Sequence, residues 1–207
     1  GIFCSMRKLA EALKSKGHTV IYHKILDSRE VELIDILDSI CVKLSVYNLQ
    51  FQYPDELRML QNLEKLKDRG YNITFVSSEH FISSSEEFKN TFSGKKTFLM
   101  ESFYRKLRKR TGLLMKGNQP IGGKWNYDNF NRKKIPSNHS LPEPFLPFTN
   151  VTEVYHEVLK ANLPTIGTLE DSDNFFWPTD TKQALAIFDH WLEHHFQFFG
   201  DYQDAMT

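Results

Sequence analysis

Residues 66–78 run Leu66-Lys67-Asp68-Arg69-Gly70-Tyr71-Asn72-Ile73-Thr74-Phe75-Val76-Ser77-Ser78, and they decide the fold class. The first five close a helix. Basic side chains occupy its last turn, facing the negative end of the helix dipole, and Gly70 supplies the left-handed residue beyond it. The strand-forming run NITFVSS follows. The same device stands 53 residues earlier, Gly17 against Gly70: Lys14-Ser15-Lys16-Gly17 closes a helix with Met6, Leu9, Ala10 and Leu13 at helical spacing, and HTVIYHKI follows as a strand. A short apolar strand, Ile2 to Cys4, leads into that helix. A helix over roughly 29–39 and an apolar strand around 42–47 lie between the two devices. Helix–Gly–strand units repeated in this way predict a doubly wound parallel sheet with crossover helices, an α/β fold. Position 1 is Gly and the first strand has almost no run-in, so the domain reads as incomplete at its start.

After Ser78 the alternation stops. Ser83-Ser84-Ser85-Glu86-Glu87 carries a helix N-terminus with acids in its first turn. A helix over about 97–111 is predicted to turn Phe98, Leu99, Phe103 and Leu107 inward and its Arg/Lys set outward. GLLMKGNQPIGGKWNYDNFNRKKIP has no sustained period and reads as a loop. Pro136, Pro142, Pro144 and Pro147 make the next segment a semi-extended linker. Residues 150–160 and 180–198 read as helices without intervening strands. The predicted organisation is therefore an α/β domain over 1–111, a loop and linker over 112–148, and the start of an all-α region over 149–207.

The chain has 207 residues, 40% of them hydrophobic and 17 of them Phe, enough to bury a core. No apolar run approaches the roughly 18 residues of a membrane span. Cys4 and Cys41 are too few for a disulfide scaffold or a four-thiolate metal site, and the opening GIFCSMRKL is not a signal peptide. A cytoplasmic, soluble protein is expected. The net charge of zero hides a strong asymmetry. Residues 105–134 hold Arg105, Lys106, Arg108, Lys109, Arg110, Lys116, Lys124, Arg132, Lys133 and Lys134 against Asp128 alone, whereas 149–207 hold Lys160 and Lys182 against ten acids. Such a block suggests a local anion site; the other reading is that it pairs with the acidic tail.

Gly117 to Lys124 fails as a phosphate-binding P-loop: Asn118 stands at the first Gly, Trp125 at the hydroxyl, and a helix rather than a strand precedes it. His190-Trp191-Leu192-Glu193-His194 matches the H-x-x-E-H spacing of zinc peptidases, which makes a zinc-dependent hydrolase a remote alternative. Ala184, Leu185, Phe188, Trp191, Leu192 and Phe196 form the opposite, apolar face, and a third ligand is not evident. Lys124, Trp125, Asn126, Tyr127, Asp128, Asn129, Phe130, Asn131 and Arg132 interleave cations, flat rings and amides. Cations neutralise phosphates, rings stack on unpaired bases and Asn reads base edges, so this loop is a candidate nucleic-acid surface. The competing reading makes Trp125 and Phe130 plugs that pin the loop to the α/β domain. Cys4 and Ser5 fall where strand meets helix at the carboxyl edge of a parallel sheet, the place where open α/β folds bind ligands. Singly, they read as a core thiol and an N-cap.

The stretch MESFYRKLRKRTGLLMKGNQPIGGKWNYDNFNRKKIP, at 100–136, resembles the signature region of the bacterial photolyase-related proteins, the group of iron–sulfur bacterial cryptochromes and prokaryotic (6-4) photolyases. FCSMRKLAEALKSKGHTVIY, YPDELRM, HFISSSEEF and NFFWPTDTKQALAIFDHWLEHHFQFFGDYQDAM are similar to further blocks in the same order. The resemblance covers nearly the whole chain and is most specific at GGKWNYDNFNR and FGDYQDAM.

It implies a flavoprotein lyase that repairs ultraviolet-damaged DNA with blue light, electrons passing from excited reduced FAD to a (6-4) pyrimidine photoproduct. A blue-light receptor with the same cofactors and no repair activity is the alternative. The α/β domain would be a Rossmann-like antenna domain lacking its first strand–helix–strand, taking a lumazine-type chromophore. Ile2, Phe3, Cys4, Ser5 and Met6 match the junction lining that pocket. Lys124, Trp125, Asn126, Tyr127, Asp128 and Arg132 match the interdomain loop that meets damaged DNA, with Asp128 orienting Arg132. The FAD pocket and the iron–sulfur cluster belong to a C-terminal helical domain of the same polypeptide, of which this chain would carry only the first helices. Cys4 and Cys41 match none of the cluster cysteines. This chain alone is expected to be inactive and to hold no catalytic residue.

Overall fold

The computed structural model describes residues 1–27 and 31–205. Two compact units account for the chain: Val31–Asn126, and Gly1–Glu30 together with Tyr127–Thr207.

The first unit is built on a parallel pair of strands. Helix α2 (Leu33–Leu44) precedes β1 (Asn48–Gln52), α3 (Leu57–Glu64) crosses over, and β2 (Asn72–Val76) returns beside β1. The register runs from Asn48 opposite Asn72 to Gln52 opposite Val76, which sets Phe51 beside Phe75. A 3-10 turn, Lys67–Arg69, follows α3, and Gly70 at φ +91° reverses the chain as expected, its successor Tyr71 donating N–H to the Leu66 carbonyl at 3.2 Å. Cys41, Leu63, Leu66 and Tyr71 form the buried cluster, packed against Ile34, Leu37, Leu49, Phe51, Ile73 and Phe75. Helix α4 (Ser85–Phe92) starts at the predicted cap: the Ser84 hydroxyl accepts from Glu87 N at 3.0 Å. Phe88, Phe92, Phe98 and Phe103 meet ring to ring and join α4 to α5 (Met100–Thr111), which ends at Gly112 with φ +73°. A hairpin of two-residue strands, β3 (Met115–Lys116) and β4 (Gln119–Pro120), continues from it, with Gly117 at φ +60° opening its loop.

The other unit is helical. Helix α1 (Ile2–Ser15) lies with α6 (Thr152–Lys160), α7 (Thr181–His194) and α8 (Phe196–Tyr202). Lys8 Nζ reaches Asp180 Oδ2 and Thr179 Oγ1, both at 2.7 Å, and Arg7 pairs with Glu153 at 3.1 Å and closely with Glu157. These ion pairs join α1 to α6 and to the start of α7 within this unit.

Several expectations are corrected. Ile2 to Cys4 is not a strand: Ser5 N–H already donates to the Gly1 carbonyl at 3.0 Å, so the helix opens at Ile2. Cys4 and Ala10 are its buried residues, while Met6 and Leu9 face out. Residues 18–24 form no strand: among the described residues no backbone pairs with HTVIYHKI, and the parallel sheet has two strands. The helix expected over 29–39 falls partly outside the described residues; α2 runs on to Leu44, displacing the strand expected at 42–47 to 48–52. Phe98 and Leu99 precede α5 and are exposed. The observed architecture is mixed helix and strand with a small parallel sheet.

Candidate functional site

Basic charge gathers on α5 because its last two turns read Arg105-Lys106-Leu107-Arg108-Lys109-Arg110. Positions 105, 108 and 109 share one face at i, i+3 and i+4. Their heads converge on one ring: Arg105 and Arg108 lie 5.4 Å and Lys109 5.6 Å from the centre of Trp125. Trp125 is half-buried under this arch of cations, so within its unit it seats the loop on α5, the plug reading, while concentrating positive charge beside it. Arg108 departs from the expected outward set. It is buried, at 7% exposure, and donates from Nε to the Leu113 carbonyl at 3.3 Å, from Nη1 to the Tyr104 hydroxyl at 3.3 Å, and closely from Nη2 to the Leu114 carbonyl. Its fork thus reaches two carbonyls of the segment that follows the helix; that of Leu114, held at φ +55°, also accepts from Ile121 N–H at 2.8 Å. Arg105 pairs with Glu101 and Arg110 with Glu87, each at 2.8 Å. Lys124 and Asn126 flank Trp125 on the exposed side of the loop.

In the helical unit, Tyr127 precedes a 3-10 turn over Asp128–Phe130, its ring 6.4 Å from that of Phe130. Asn131 is buried beneath the turn. Arg132 Nε lies 3.8 Å from Asp204 Oδ2, and Lys133 Nζ 2.8 Å from Asp201 Oδ1. Backbone bonds lock the same segment to α8 from both directions: Lys133 N–H to the Asp201 carbonyl at 3.0 Å, and Asp204 N–H to the Asn131 carbonyl at 3.1 Å. Pairing of the basic segment with the acidic tail was one of the two readings of its charge; the partners are Asp201 on α8 and Asp204 two residues beyond it, which the sequence offered only as conceivable third ligands beside His190 and His194.

Ile2, Phe3, Cys4, Ser5 and Met6 lie on α1 in the helical unit. Ile2, Ser5 and Met6 edge an apolar groove of about 440 Å³ with Leu9, Trp177 and Pro178, whereas Cys4 is buried and points away from it. The carboxyl ends of the parallel strands, where open α/β sheets bind ligands, carry a different cleft. It holds about 700 Å³ and is lined by Tyr53 and Asp55 after β1, Phe75 to Ser78 at the end of β2, and Ser83 to Glu86 with Lys89 on α4. Tyr53 N–H extends the ladder to the Val76 carbonyl at 2.8 Å, and its ring meets Phe75 edge-on at 5.7 Å. Three rings, those of Tyr53, Phe75 and Phe81, and five serines line this cleft. These residues were missed because β1 was expected six residues early, which put YPDELRM away from a sheet edge.

His190 and His194 of the H-x-x-E-H spacing meet at 4.4 Å with their rings tilted 49°, His190 Nε2 is 2.9 Å from the Glu143 carbonyl, and the described residues contain no group of three His, Cys, Asp or Glu placed to hold a metal ion. Cys4 and Cys41 are both buried single thiols, which does not suit an iron–sulfur cluster. Among the described residues no helix is long and apolar enough to cross a membrane.

Comparison with known proteins agrees with the resemblance seen in the sequence. A (6-4) photolyase from Agrobacterium fabrum (strain C58 / ATCC 33970) is 33% identical over 215 aligned positions, covering 99% of this chain and 41% of that protein. An uncharacterized protein, R852, of Acanthamoeba polyphaga mimivirus is 31% identical over 140 positions, 64% of this chain and 68% of its own length. The chain thus spans about two fifths of the photolyase that it matches. Residues 1–175 match the deoxyribodipyrimidine photo-lyase-related protein family, and with that match covering most of its length the chain belongs to this family.

Proposed function

We propose that the chain serves a light-driven flavoprotein lyase that repairs (6-4) photoproducts in DNA, and that it contributes an antenna region and a DNA-contact region. What carries this reading is the 33% identity to a (6-4) photolyase sustained over 99% of the chain. The cations of α5 with Lys124 in one unit, and those of residues 132–134 in the other, attract phosphates; within the first, Trp125 and the buried Arg108 seat the loop that carries Lys124. FAD and an iron–sulfur cluster are assigned to the helical part of the full enzyme, outside the residues of this chain, where the flavin supplies photo-driven electron transfer. A lumazine-type antenna is assigned to the cleft at the ends of β1 and β2 in preference to Ile2–Met6, since Tyr53 and Phe75 offer rings, and Asp55, Ser77 and Ser78 offer polar partners for a ribityl chain. The α/β portion is read as the doubly wound antenna domain of such an enzyme.

The direct test illuminates the full enzyme with blue light on an oligonucleotide holding a single (6-4) lesion and follows the return of intact bases by chromatography. Restoration supports repair; a photoreduced flavin with no restoration would leave the blue-light receptor instead. One observation favours that second reading, the pairing of Arg132 and Lys133 within the chain itself. For the antenna, 6,7-dimethyl-8-ribityllumazine is titrated by fluorescence. Tyr53→Ala is expected to weaken its binding and Ile2→Ala to leave it unchanged; the reverse order would return the site to α1.

A further inference from the structure

We infer that Asp201 and Asp204 mask Arg132 and Lys133 from polyanions and so lower the affinity of this loop for them, an inference resting on the nucleic-acid role proposed for this loop. The backbone of residues 131–133 is held by main-chain bonds in both directions, Lys133 N to the Asp201 carbonyl and Asp204 N to the Asn131 carbonyl, at 3.0 and 3.1 Å. Asn131 adds side-chain bonds from Nδ2 to Gln203 Oε1 at 3.5 Å and to Asp204 Oδ2 at 3.4 Å. The main-chain bonds and the Gln203 contact hold the loop independently of the Asp201 carboxylate, and the Asp204 contact to Asn131 needs only an acceptor oxygen, which an amide at that position keeps.

What the carboxylates do is occupy its cations. Asp201 Oδ1 takes the Lys133 ammonium at 2.8 Å, and Asp204 Oδ2 lies 3.8 Å from Arg132 Nε. The four side chains keep 47–70% of their surface exposed, so these pairs are weak and exchangeable and a phosphate can displace them. Displacement costs every incoming polyanion the same amount, and the carboxylates left behind repel it. The penalty lowers the affinity of every polyanion alike, and it weighs most on occupancy where binding rests on charge alone, as for a random stretch of nucleic acid. Arg132 and Lys133 thus carry their own competing anions and are not simple phosphate contacts.

The test uses the full chain and a short undamaged DNA duplex, with fluorescence anisotropy read across a salt series. Asp201→Asn with Asp204→Asn keeps side-chain shape and removes both charges. It is expected to tighten binding by about threefold per carboxylate, the scale of an exposed ion pair, and to steepen the slope of log K against log salt by about one per cation freed. The same pair of changes is made on an Arg132→Gln, Lys133→Gln background. Loss of the gain there supports masking. An equal gain on both backgrounds would mean a general field effect and overturn it. No gain, while Arg132→Gln with Lys133→Gln weakens binding, would overturn masking and leave the nucleic-acid role standing. No effect from either pair would overturn both. Circular dichroism melts check that each variant folds.

Discussion

Replacing Arg108 by Met is expected to unseat the segment that follows α5. The guanidinium is buried and donates to the Leu113 and Leu114 carbonyls and the Tyr104 hydroxyl, and it lies 5.4 Å from the ring centres of both Tyr104 and Trp125. Charge-assisted hydrogen bonds contribute about 1.5–3 kcal/mol net where truncation leaves partners unmet, and a desolvated cation–π contact about 1 kcal/mol. Met recovers part of this through the apolar stem, so the expected loss is about 2–4 kcal/mol, or roughly 5–15 °C in Tm. Arg105→Met is the control: Arg105 is 48% exposed with an i, i+4 partner in Glu101, and its removal should cost about 0.5 kcal/mol. Arg108→Lys should fall between, since an ammonium keeps the charge but lacks the planar fork that spans three acceptors. Denaturant unfolding followed by Trp125 emission, with Trp177 and Trp191 changed to Phe, reports on this segment directly. Equal losses in the Met variants of Arg105 and Arg108, within about 0.5 kcal/mol, would refute the anchoring role.

Three further outcomes are expected. Tyr71 donates to Asp38 Oδ1 at 2.6 Å, and this bond, with burial and the Asp38 charge, pushes its phenol up to about 12 from 10.0. A group raised in the folded state stabilises fully below its unfolded value, so the contribution is intact below pH 10 and is lost as pH rises toward 12; Asp38→Asn should shift the ultraviolet phenolate titration downward. Asp180 caps α7 by accepting from Gln183 N at 2.8 Å, and its bond to Lys8 comes first among the causes that hold its carboxyl below the usual range. That stability is present above the ordinary carboxylate range and lost as pH falls through the depressed value; Asp180→Ala should cost about 1 kcal/mol in thermal unfolding at neutral pH. Gly70→Ala should destabilise by about 1 kcal/mol, because the obstacle is φ +91° and nothing lies within 4 Å of an added Cβ, a difference visible in the midpoint of urea unfolding.

The elements readable from sequence were those carrying their own punctuation. Gly70 after two basic residues, Ser84 three residues before Glu87, and Gly112 after Arg110 each fix an end by local hydrogen bonding, which neighbours in sequence supply. HTVIYHKI has equally good strand chemistry, but a strand exists only where another backbone pairs with it, and composition does not encode that partner. Likewise α1 shows apolar residues at helical spacing, yet the face turned inward carries Cys4 and Ala10 and the half-buried Arg7, because Glu153 and Glu157, nearly 150 residues away, draw the guanidinium in. The loop at 124–132 was legible as a basic, aromatic surface. Which of its cations were already engaged was not, since that depended on long-range pairing with Asp201 and Asp204.

The 26 basic and 26 acidic residues that cancel in the total are distributed among specific pairs. Among the acids of residues 149–207, Glu153 and Glu157 meet Arg7 and Lys24, Asp180 meets Lys8, and Asp201 and Asp204 meet Lys133 and Arg132. The acidic tail therefore divides between the N-terminal helix and the end of the basic segment, while Arg105 and Arg110 of α5 find local acids in Glu101 and Glu87. Pairing with the acidic tail thus holds for Arg132 and Lys133, whereas Arg105 and Arg110 are paired nearer by. This division carries a salt signature. Exposed pairs and phosphate contacts are screened together as ionic strength rises, over a Debye length of about 8 Å at physiological salt. Neutralising Asp201 and Asp204 should thus raise DNA affinity most at low salt and progressively less as salt is added. A variant that gained affinity by a constant factor across the series would owe its gain to a rearranged loop rather than to two unmasked cations.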